Sequence, residues 1–362
     1  MRKEFCTGPG RRNKQILSEF RLHAGGKPNL SLRVRSMRAL ALLSGGLDSI
    51  LAARLIREQG VEVVGIGFSS PFFDCRKGEE AAREMEIDFH CFDLSARFLQ
   101  MLEHPPHGYG KNLNPCVDCH RLMVKEAFSR MERLGADFVI TGEVLGQRPK
   151  SQNRAALRAV AGAGAPGLLL RPLSAKLLEE TVAEKEGWVN RSRLLGLSGR
   201  GRKKQLELAE RFGIKNYSSP GGGCLLTESE FCRRLKELKK HEGWKRRRIE
   251  LLRLGRHFRL PSGARAVSGR DERENKELAR RAVVGDYLFQ AAGRPGSLVL
   301  LRKKTKPDRK DLELAASICA RYSKEKSSSE LKIRCWKKNE NGDERIINAR
   351  PMVEEELEGM RI

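Results

Sequence analysis

The sequence predicts an α/β protein, a doubly wound and mainly parallel sheet followed by a smaller basic α+β domain. Three observations carry that expectation. Short apolar runs alternate with amphipathic stretches over residues 37–235, the pattern of strands buried on both faces and joined by crossover helices. After about residue 243 the strands follow one another with fewer helices between them. A chain of 362 residues is long enough for two or three domains at roughly 100–200 residues each.

In chain order, residues 1–36 lack sustained periodicity and carry Gly8-Pro9-Gly10 and Gly25-Gly26-Lys27-Pro28, so they are expected to be a basic disordered arm. The first domain, 37–235, opens with a strand at 39–43, a helix at 48–59 and a strand at 61–68. A helix at 79–85 and a strand at 89–92 follow, then a helix at 124–134 that stops at Gly135. A strand at 138–141, a helix at 151–160, a strand at 168–171 before Pro172 and helices at 175–185 and 203–212 complete it, with a basic helix at 229–241. The second domain, 244–350, is expected to have strands near 264–268, 287–290, 298–302, 331–336 and 345–348, and helices near 272–281 and 309–324. Residues 351–362 are expected to be a tail.

An apolar fraction of 39% with 32% charged residues excludes a fibrous or wholly disordered chain. No apolar run approaches the ~18 residues of a membrane span, and no apolar segment of a secretory signal follows the basic N-terminus. The expectation is a cytoplasmic protein without a membrane partner, its oligomeric state open. The net charge of +25 points to a polyanionic partner, nucleic acid being the usual one. The charge is clustered: residues 233–259 hold twelve Lys and Arg against three Glu, including Lys245-Arg246-Arg247-Arg248. Arg200, Arg202, Lys203 and Lys204 form another knot. Nine cysteines in such a chain suggest metal or sulfur chemistry rather than disulfides.

Ser44-Gly45-Gly46-Leu47-Asp48-Ser49 lies between the first strand and the first helix. Its glycines let main-chain N–H groups approach an anion, the serines add hydroxyl donors, and the helix turns its positive end to the same place. Asp48 would repel phosphate unaided, so its expected task is to hold Mg2+ between phosphate oxygens. No Lys-[Ser/Thr] ending follows, so this is not a Walker A loop. Asn114-Pro115-Cys116-Val117-Asp118-Cys119 places a CxxC at the opening of a helix, and Cys224 ends Ser219-Pro220-Gly221-Gly222-Gly223-Cys224. Three thiolates suit three irons of a [4Fe-4S] cluster with the fourth iron open. A second route is a persulfide on one cysteine resolved by another, with Cys119 as the thiolate favoured by its helix N-terminus. Purely structural cysteines or zinc are the third reading. Cys6, Cys75, Cys91, Cys232, Cys319 and Cys335 read as buried or incidental.

The SGGxDS signature resembles that of the PP-loop ATP pyrophosphatase superfamily, with its HUP-like fold. The resemblance implies that ATP is split into AMP and pyrophosphate, AMP passing to a substrate oxygen. Asn114-Pro115-Cys116-x-x-Cys119 resembles the NPxxxC segment of 2-thiouridine synthases, which implies that Cys119 is reactive. Cys116 stands where that segment is often acidic, and the CxxC with one distant cysteine instead resembles iron–sulfur-dependent tRNA thiolases, implying Cys116, Cys119 and Cys224 as ligands. Gly142-Glu143-Val144-Leu145-Gly146-Gln147 with Ser151-Gln152 resembles a segment of 4-thiouridine synthases, so Gly142, Glu143 and Gln147 are expected to face the nucleotide or target base. Gly269-Arg270-Asp271 with Asn275, and 311–324, resemble the RNA-binding domain of the NFACT family. That implies RNA contact at Arg270 and Asn275 beside Lys245, Arg246, Arg247 and Arg248.

Together these readings predict an ATP-dependent tRNA sulfurtransferase that adenylates a uridine carbonyl and replaces its oxygen with sulfur from sulfide or a persulfide carrier. Catalysis is expected at Cys119, Cys116, Cys224 and Asp48; ATP and Mg2+ at Ser44, Gly45, Gly46, Leu47, Asp48 and Ser49. One rival is a PP-loop enzyme forming a C–N bond on RNA or a small molecule. Another is a non-catalytic RNA- or ribosome-binding factor.

Overall fold

A computed structural model describes residues 36–218, 223–293, 295–323, 329–338 and 344–362. The expected arm at 1–36 lies almost wholly outside them. The first sheet has the order β3-β2-β1-β4-β5, made by β1 (Arg38–Leu42), β2 (Glu62–Ser69), β3 (Phe89–Asp93), β4 (Phe138–Ile140) and β5 (Leu169–Leu170). All its pairings are parallel, Leu40 standing opposite Val64 on one side and Val139 on the other. Side chains alternate across the strand. Ala39 and Ala41 face α1 (Leu47–Arg57) and α2 (Arg76–Glu84). Leu40 faces the layer with Val124 of α4 (Cys116–Phe128) and Val160 of α5 (Arg154–Ala161). The sheet is thus covered on both faces, as doubly wound folds require. The strand order reverses between β1 and β4, and such a switch point opens a crevice at the carboxyl ends of the strands.

Several elements depart from expectation. The α4 helix begins at Cys116, eight positions before the expected start. An unpredicted helix, α3 (Ser95–Glu103), sends Phe98 and Leu102 into a core shared with Phe72 and Phe231. The helix expected at 175–185 is a single 3-10 turn and the short α6 (Val182–Lys185). Its residues are tied sideways instead: Leu195 N–H donates to Pro172 O, Lys176 N–H to Leu195 O and Leu197 N–H to Leu173 O. Thr181 and Glu184 then cap α6 reciprocally. The α7 helix (Lys203–Arg211) packs on α1 through Leu208 and Ala209.

Cys75 and Cys91, read as unrelated buried thiols, form a disulfide. Cys91 stands opposite Gly67 of β2, and a Cβ on Gly67 would lie 3.3 Å from the Cys75 sulfur. The missing side chain leaves the room that the bridge fills.

Next come α8 (Ser229–Glu242) and α9 (Arg246–Leu251), then an antiparallel six-stranded sheet of order β11-β10-β8-β9-β7-β6. Its strands are β6 (Arg256–Arg259), β7 (Arg265–Ser268), β8 (Tyr287–Ala291), β9 (Val299–Arg302), β10 (Leu331–Lys337) and β11 (Arg345–Ala349). Along β9, Val299 and Leu301 face α11 (Arg309–Arg321), while Leu300 faces Leu278 of α10 (Glu272–Arg281). Residues 351–362 are no tail. They carry α12 (Glu354–Met360), with Leu357 fully buried and Ile362 N–H donating to His257 O. A leucine, Met352 and Ile362 at sites the sheet leaves open explain why this stretch folds back. Arg259 and Arg265 of the second sheet pair with Glu242 of α8 at 3.1 and 2.6 Å.

Candidate nucleotide and sulfur site

The Ser44–Ser49 loop leaves β1 at the switch point. Gly45 has φ +74°, and a Cβ there would collide with the Lys77 carbonyl oxygen of α2, so only glycine fits. The Ser49 hydroxyl donates to Gly46 O at 2.7 Å and lies 3.3 Å from the Ser44 hydroxyl. Leu47 is buried in the α1–α7 core, leaving only its main chain for a ligand. Asp48 accepts from Gln147 Nε2 at 2.5 Å through Oδ2, while its buried Oδ1 has no hydrogen-bond partner. An orphaned, buried carboxylate oxygen beside an anion loop suits Mg2+.

The 142–147 loop follows β4 and closes against the first. A Cβ on Gly142 would lie 2.5 Å from the Ser49 nitrogen, so the two loops touch main chain to main chain. Glu143 does not face a ligand. Its buried carboxylate accepts from Arg171 Nε at 2.9 Å and Thr141 Oγ1 at 3.1 Å, and stands 2.8 Å from His120 Nδ1. Burial alone would raise its pKa, but the Arg171 charge and the His120 bond hold it at about 2. Gln147 reaches both Asp48 and, at 3.0 Å, Gln205 of α7. Asp137 accepts from the Arg38 N–H and Asp74 pairs with Arg76, so both are engaged in local structure.

The His120–Glu143 contact sets the opening turn of α4, with Cys116 and Cys119, beside these loops. Asp118 is buried and anchors the turn by accepting from His107 N–H at 2.9 Å. On the opposite side Ser218 N–H donates to Gly45 O at 2.9 Å, so the segment leading to Cys224 departs from the phosphate loop itself. Leu225 N–H then bonds Phe72 O, and Asn112 Nδ2 bonds Thr227 O. Cys119 and Cys224 thereby pack on one apolar cluster with Phe72, Leu226 and Phe231. The three thiols are close enough to act on one another electrically. Cys119 keeps some accessible surface but is densely surrounded, and desolvation pushes its thiol well above the usual range, with Cys224, Cys116 and Asp118 adding to the shift. Burial and the Cys116 charge push Cys224 up to about 12. The helix N-terminus, expected to favour the Cys119 thiolate, is outweighed by burial and by neighbouring sulfurs.

Among the described residues no group of three His, Cys, Asp or Glu side chains stands in a metal-holding arrangement. Cysteine sulfurs are nonetheless the donor type that iron–sulfur clusters take.

The basic run divides. Lys245 and Arg247 are exposed and unpaired among the described residues, whereas Arg246 pairs with Asp93 and Glu250, and Arg248 with Glu242. Arg270 forks onto Glu274, and Asn275 bridges Gly296 O and Leu298 N–H. Asn275 is therefore a strut between α10 and β9. Sequence reasoning missed His120, Arg171, Gln205 and Ser218. His120 directly follows the CxxC, a visible cue, but nothing in the spacing pairs Gln147 with Gln205.

A glycine-rich loop at the switch point of a parallel five-stranded sheet, followed by an antiparallel domain, is the architecture expected from the SGGxDS resemblance. Residues 35–183 match the family model described as thiamine biosynthesis protein (ThiI), and residues 255–361 that of the NFACT protein RNA binding domain. The chain thus has one segment similar to the ThiI model and another similar to the model of the NFACT RNA binding domain. Curated relatives include the tRNA-specific 2-thiouridylase MnmA of Syntrophotalea carbinolica, 33% identical over 128 residues, covering 31% of this chain and 36% of the relative. Another, the tRNA-specific 2-thiouridylase MnmA 2 of Clostridium botulinum (strain Loch Maree / Type A3), is 28% identical over 195 residues, 50% of this chain and 51% of the relative. The chain spans about a third of the length of the first relatives it matches (36% and 33%). A solved 4-thiouridine synthetase–RNA complex with bound ATP is 21% identical, covers 60% of this chain and 52% of its own, and superposes with a TM-score of 0.36. No described helix is long and apolar enough to cross a membrane.

Proposed function

We propose that this protein is an ATP-dependent tRNA sulfurtransferase that makes a thiouridine. The observation that carries the reading is the apolar cluster shared by Cys119 and Cys224, beside a phosphate loop to which their segments are tied by His120–Glu143 and Ser218–Gly45. An amidating PP-loop enzyme has no use for such thiols, and a non-catalytic RNA-binding factor has no use for the loop.

In this reading the Ser44–Ser49 loop seats ATP by main-chain N–H groups, and the Asp48 carboxylate holds Mg2+ against its phosphates. The second domain and the exposed Lys245 and Arg247 draw tRNA by its phosphates. The target uridine leaves its stack to reach the crevice. Its carbonyl oxygen bonds the α-phosphorus as the bond to the β-phosphate oxygen breaks, pyrophosphate leaving with the electron pair and the N3 proton passing to solvent. Sulfur carried at the three cysteines then bonds the same carbon, and AMP departs with the C–O electron pair. AMP is a good leaving group where carbonyl oxygen is a poor one. Cys116, Cys119 and Cys224 would hold a [4Fe-4S] cluster, which would supply sulfur as sulfide; alternatively Cys119 would take sulfane sulfur from a persulfide carrier, the outer sulfur passing to the uridine as a second cysteine forms a disulfide with Cys119 that an external thiol then reduces. The external donor is sulfide or a persulfide carrier.

The test is anaerobic thiolation of unmodified tRNA with ATP and sulfide, read by nucleoside mass spectrometry together with pyrophosphate release. Thiouridine formation lost in Cys224→Ala, with tRNA-stimulated pyrophosphate release retained, supports the reading. Activity untouched in Cys224→Ala refutes it. Iron at about four per chain separates the cluster from the persulfide route.

A further inference from the structure

We propose that the Cys75–Cys91 disulfide is a redox switch for nucleotide affinity, closed in the oxidised chain and opened by a cellular dithiol. The inference goes beyond the reading above and rests on its assignment of ATP to the Ser44–Ser49 loop. In that reading the chain works beside tRNA, in a compartment where thiols are kept reduced. A disulfide in such a compartment is usually transient and redox-sensing rather than a permanent staple.

The bridge is placed to be reached. Cys91 is exposed and lies on β3, the end strand of the first sheet, paired with β2. Exposed disulfides are the ones that exchange readily with an outside thiol. Cys75 is buried, so the first attack falls on the Cys91 sulfur. One thiolate of the dithiol bonds that sulfur as the Cys75–Cys91 bond breaks, and Cys75 leaves with the electron pair and takes a proton. The second thiol then displaces Cys91 from the mixed disulfide. Two electrons and two protons have passed to the bridge, and the reductant departs as its own disulfide.

What the bridge holds is the start of α2. Cys75 stands just before that helix, and its carbonyl accepts from the Glu79 N–H at 2.9 Å. The first turn of α2 meets the phosphate loop main chain to main chain. The Lys77 carbonyl oxygen fills the space that a Cβ on Gly45 would need, and a Cβ on Gly78 would collide with the Leu43 carbonyl oxygen. Leu43 and Gly45 flank the end residue Ser44, so α2 sets the path by which the chain enters the loop. Three residues before Cys75, Phe72 is fully buried and its carbonyl accepts from Leu225 N–H at 3.0 Å, next to Cys224. One covalent bond to β3 thus steadies a stretch that touches the nucleotide loop at one end and the Cys224 segment at the other. With the bridge open, α2 is still anchored by Ala81, Ala82 and Met85, all in or after its later turns. The freedom gained therefore falls on the first turn, the part in contact with the loop. A loop that the nucleotide itself must order binds it more weakly than one already held in place.

The test is calorimetry of ATP binding in Mg2+ buffer on the full chain in three forms: disulfide-bonded wild type, wild type reduced with dithiothreitol, and Cys91→Ser. Non-reducing digests report the state of the bridge and circular dichroism confirms folding. ATP affinity at least fivefold weaker in reduced wild type, recovered on reoxidation, and equally weak in Cys91→Ser with or without dithiothreitol supports the switch. The variant is needed because dithiothreitol also reaches Cys116, Cys119 and Cys224. A difference below fivefold between the two wild-type forms, or a Cys91→Ser chain that still responds to dithiothreitol, overturns the switch and leaves the ATP reading intact. An oxidised chain without linked Cys75 and Cys91 peptides overturns it as well. Disulfide-bonded wild type that binds no ATP overturns the ATP reading, and this assignment with it.

Discussion

Removing the charge of Glu143 is expected to unlock the first domain in a way that depends on pH. In Glu143→Gln the buried carboxylate that joins Arg171, His120 and Thr141 is replaced by a neutral amide. The carboxyl titrates at about 2 against an ordinary 4.5. At ~1.4 kcal/mol per pH unit that gap is worth about 3 kcal/mol. Because the folded-state pKa is depressed, the contribution is complete above pH 4.5 and drains away as pH falls toward 2. Arg171, only 6% exposed, is left with an unpaired charge in the variant, so the loss at pH 7 should reach ~3–5 kcal/mol. For a domain of this size that is a fall in Tm of roughly 6–20 °C. Urea unfolding at pH 7, 5, 4 and 3.5, followed by circular dichroism and by the fluorescence of Trp188, whose ring lies 6.1 Å from that of Phe138, measures it. The gap between wild type and variant should be constant from pH 7 to 5 and narrow below. A gap that is absent, or equally wide at pH 3.5, would refute the placement of this ion network at the heart of the site.

Other perturbations separate loop, cysteine and second-domain roles. Asp48→Asn should cut Mg2+-dependent pyrophosphate release by ~10²–10³-fold with a melting temperature near that of wild type; unaltered release removes Asp48 from metal binding. Gly142→Ala would drive a methyl into the main chain of Asp48 and Ser49, so ATP affinity measured by calorimetry should fall more than tenfold. A non-reducing digest should yield linked Cys75 and Cys91 peptides. Reduction of this bridge, which spans 16 residues, should lower stability by ~3 kcal/mol, read as a shift in urea midpoint. Leu357→Ala in α12 should destabilise the second domain by ~2–5 kcal/mol, and no change would return residues 351–362 to the status of a tail.

The architecture was legible because its strands are buried on both faces. Apolar continuity at 39–43, 61–68 and 298–302 has no other cheap explanation, and the helix beginning after Asp271 announces itself by its cap; the helix expected to stop at Gly135 instead ends at Phe128, and Gly135 closes the turns that follow. What stayed hidden depended on partners remote in sequence. Residues 175–185 have helical composition, yet from outside the segment Leu195 O takes the Lys176 N–H, and Arg154 and Arg191 claim the Leu177 and Leu178 carbonyls. Cys75 and Cys91 meet only because Gly67, on a third element, has no side chain. Within the site, the anion loop and the cysteines are local motifs and could be read directly. The demotion of Glu143 from ligand contact to internal strut could not, since Arg171 and His120 reach it from β5 and α4. Nor could the raised pKa of Cys119, because a helix start and a crowd of sulfurs push it in opposite directions and only packing decides which prevails.

The hydrogen bond from Ser218 N–H to Gly45 O limits how far Cys224 can stand from the Ser44–Ser49 loop. Six peptide steps lead from Ser218 to Cys224, and at ~3.6 Å per residue the two α-carbons lie within about 22 Å of each other whatever path the chain follows. In the proposed reaction that leash would leave an activated base little distance to travel before sulfur meets it.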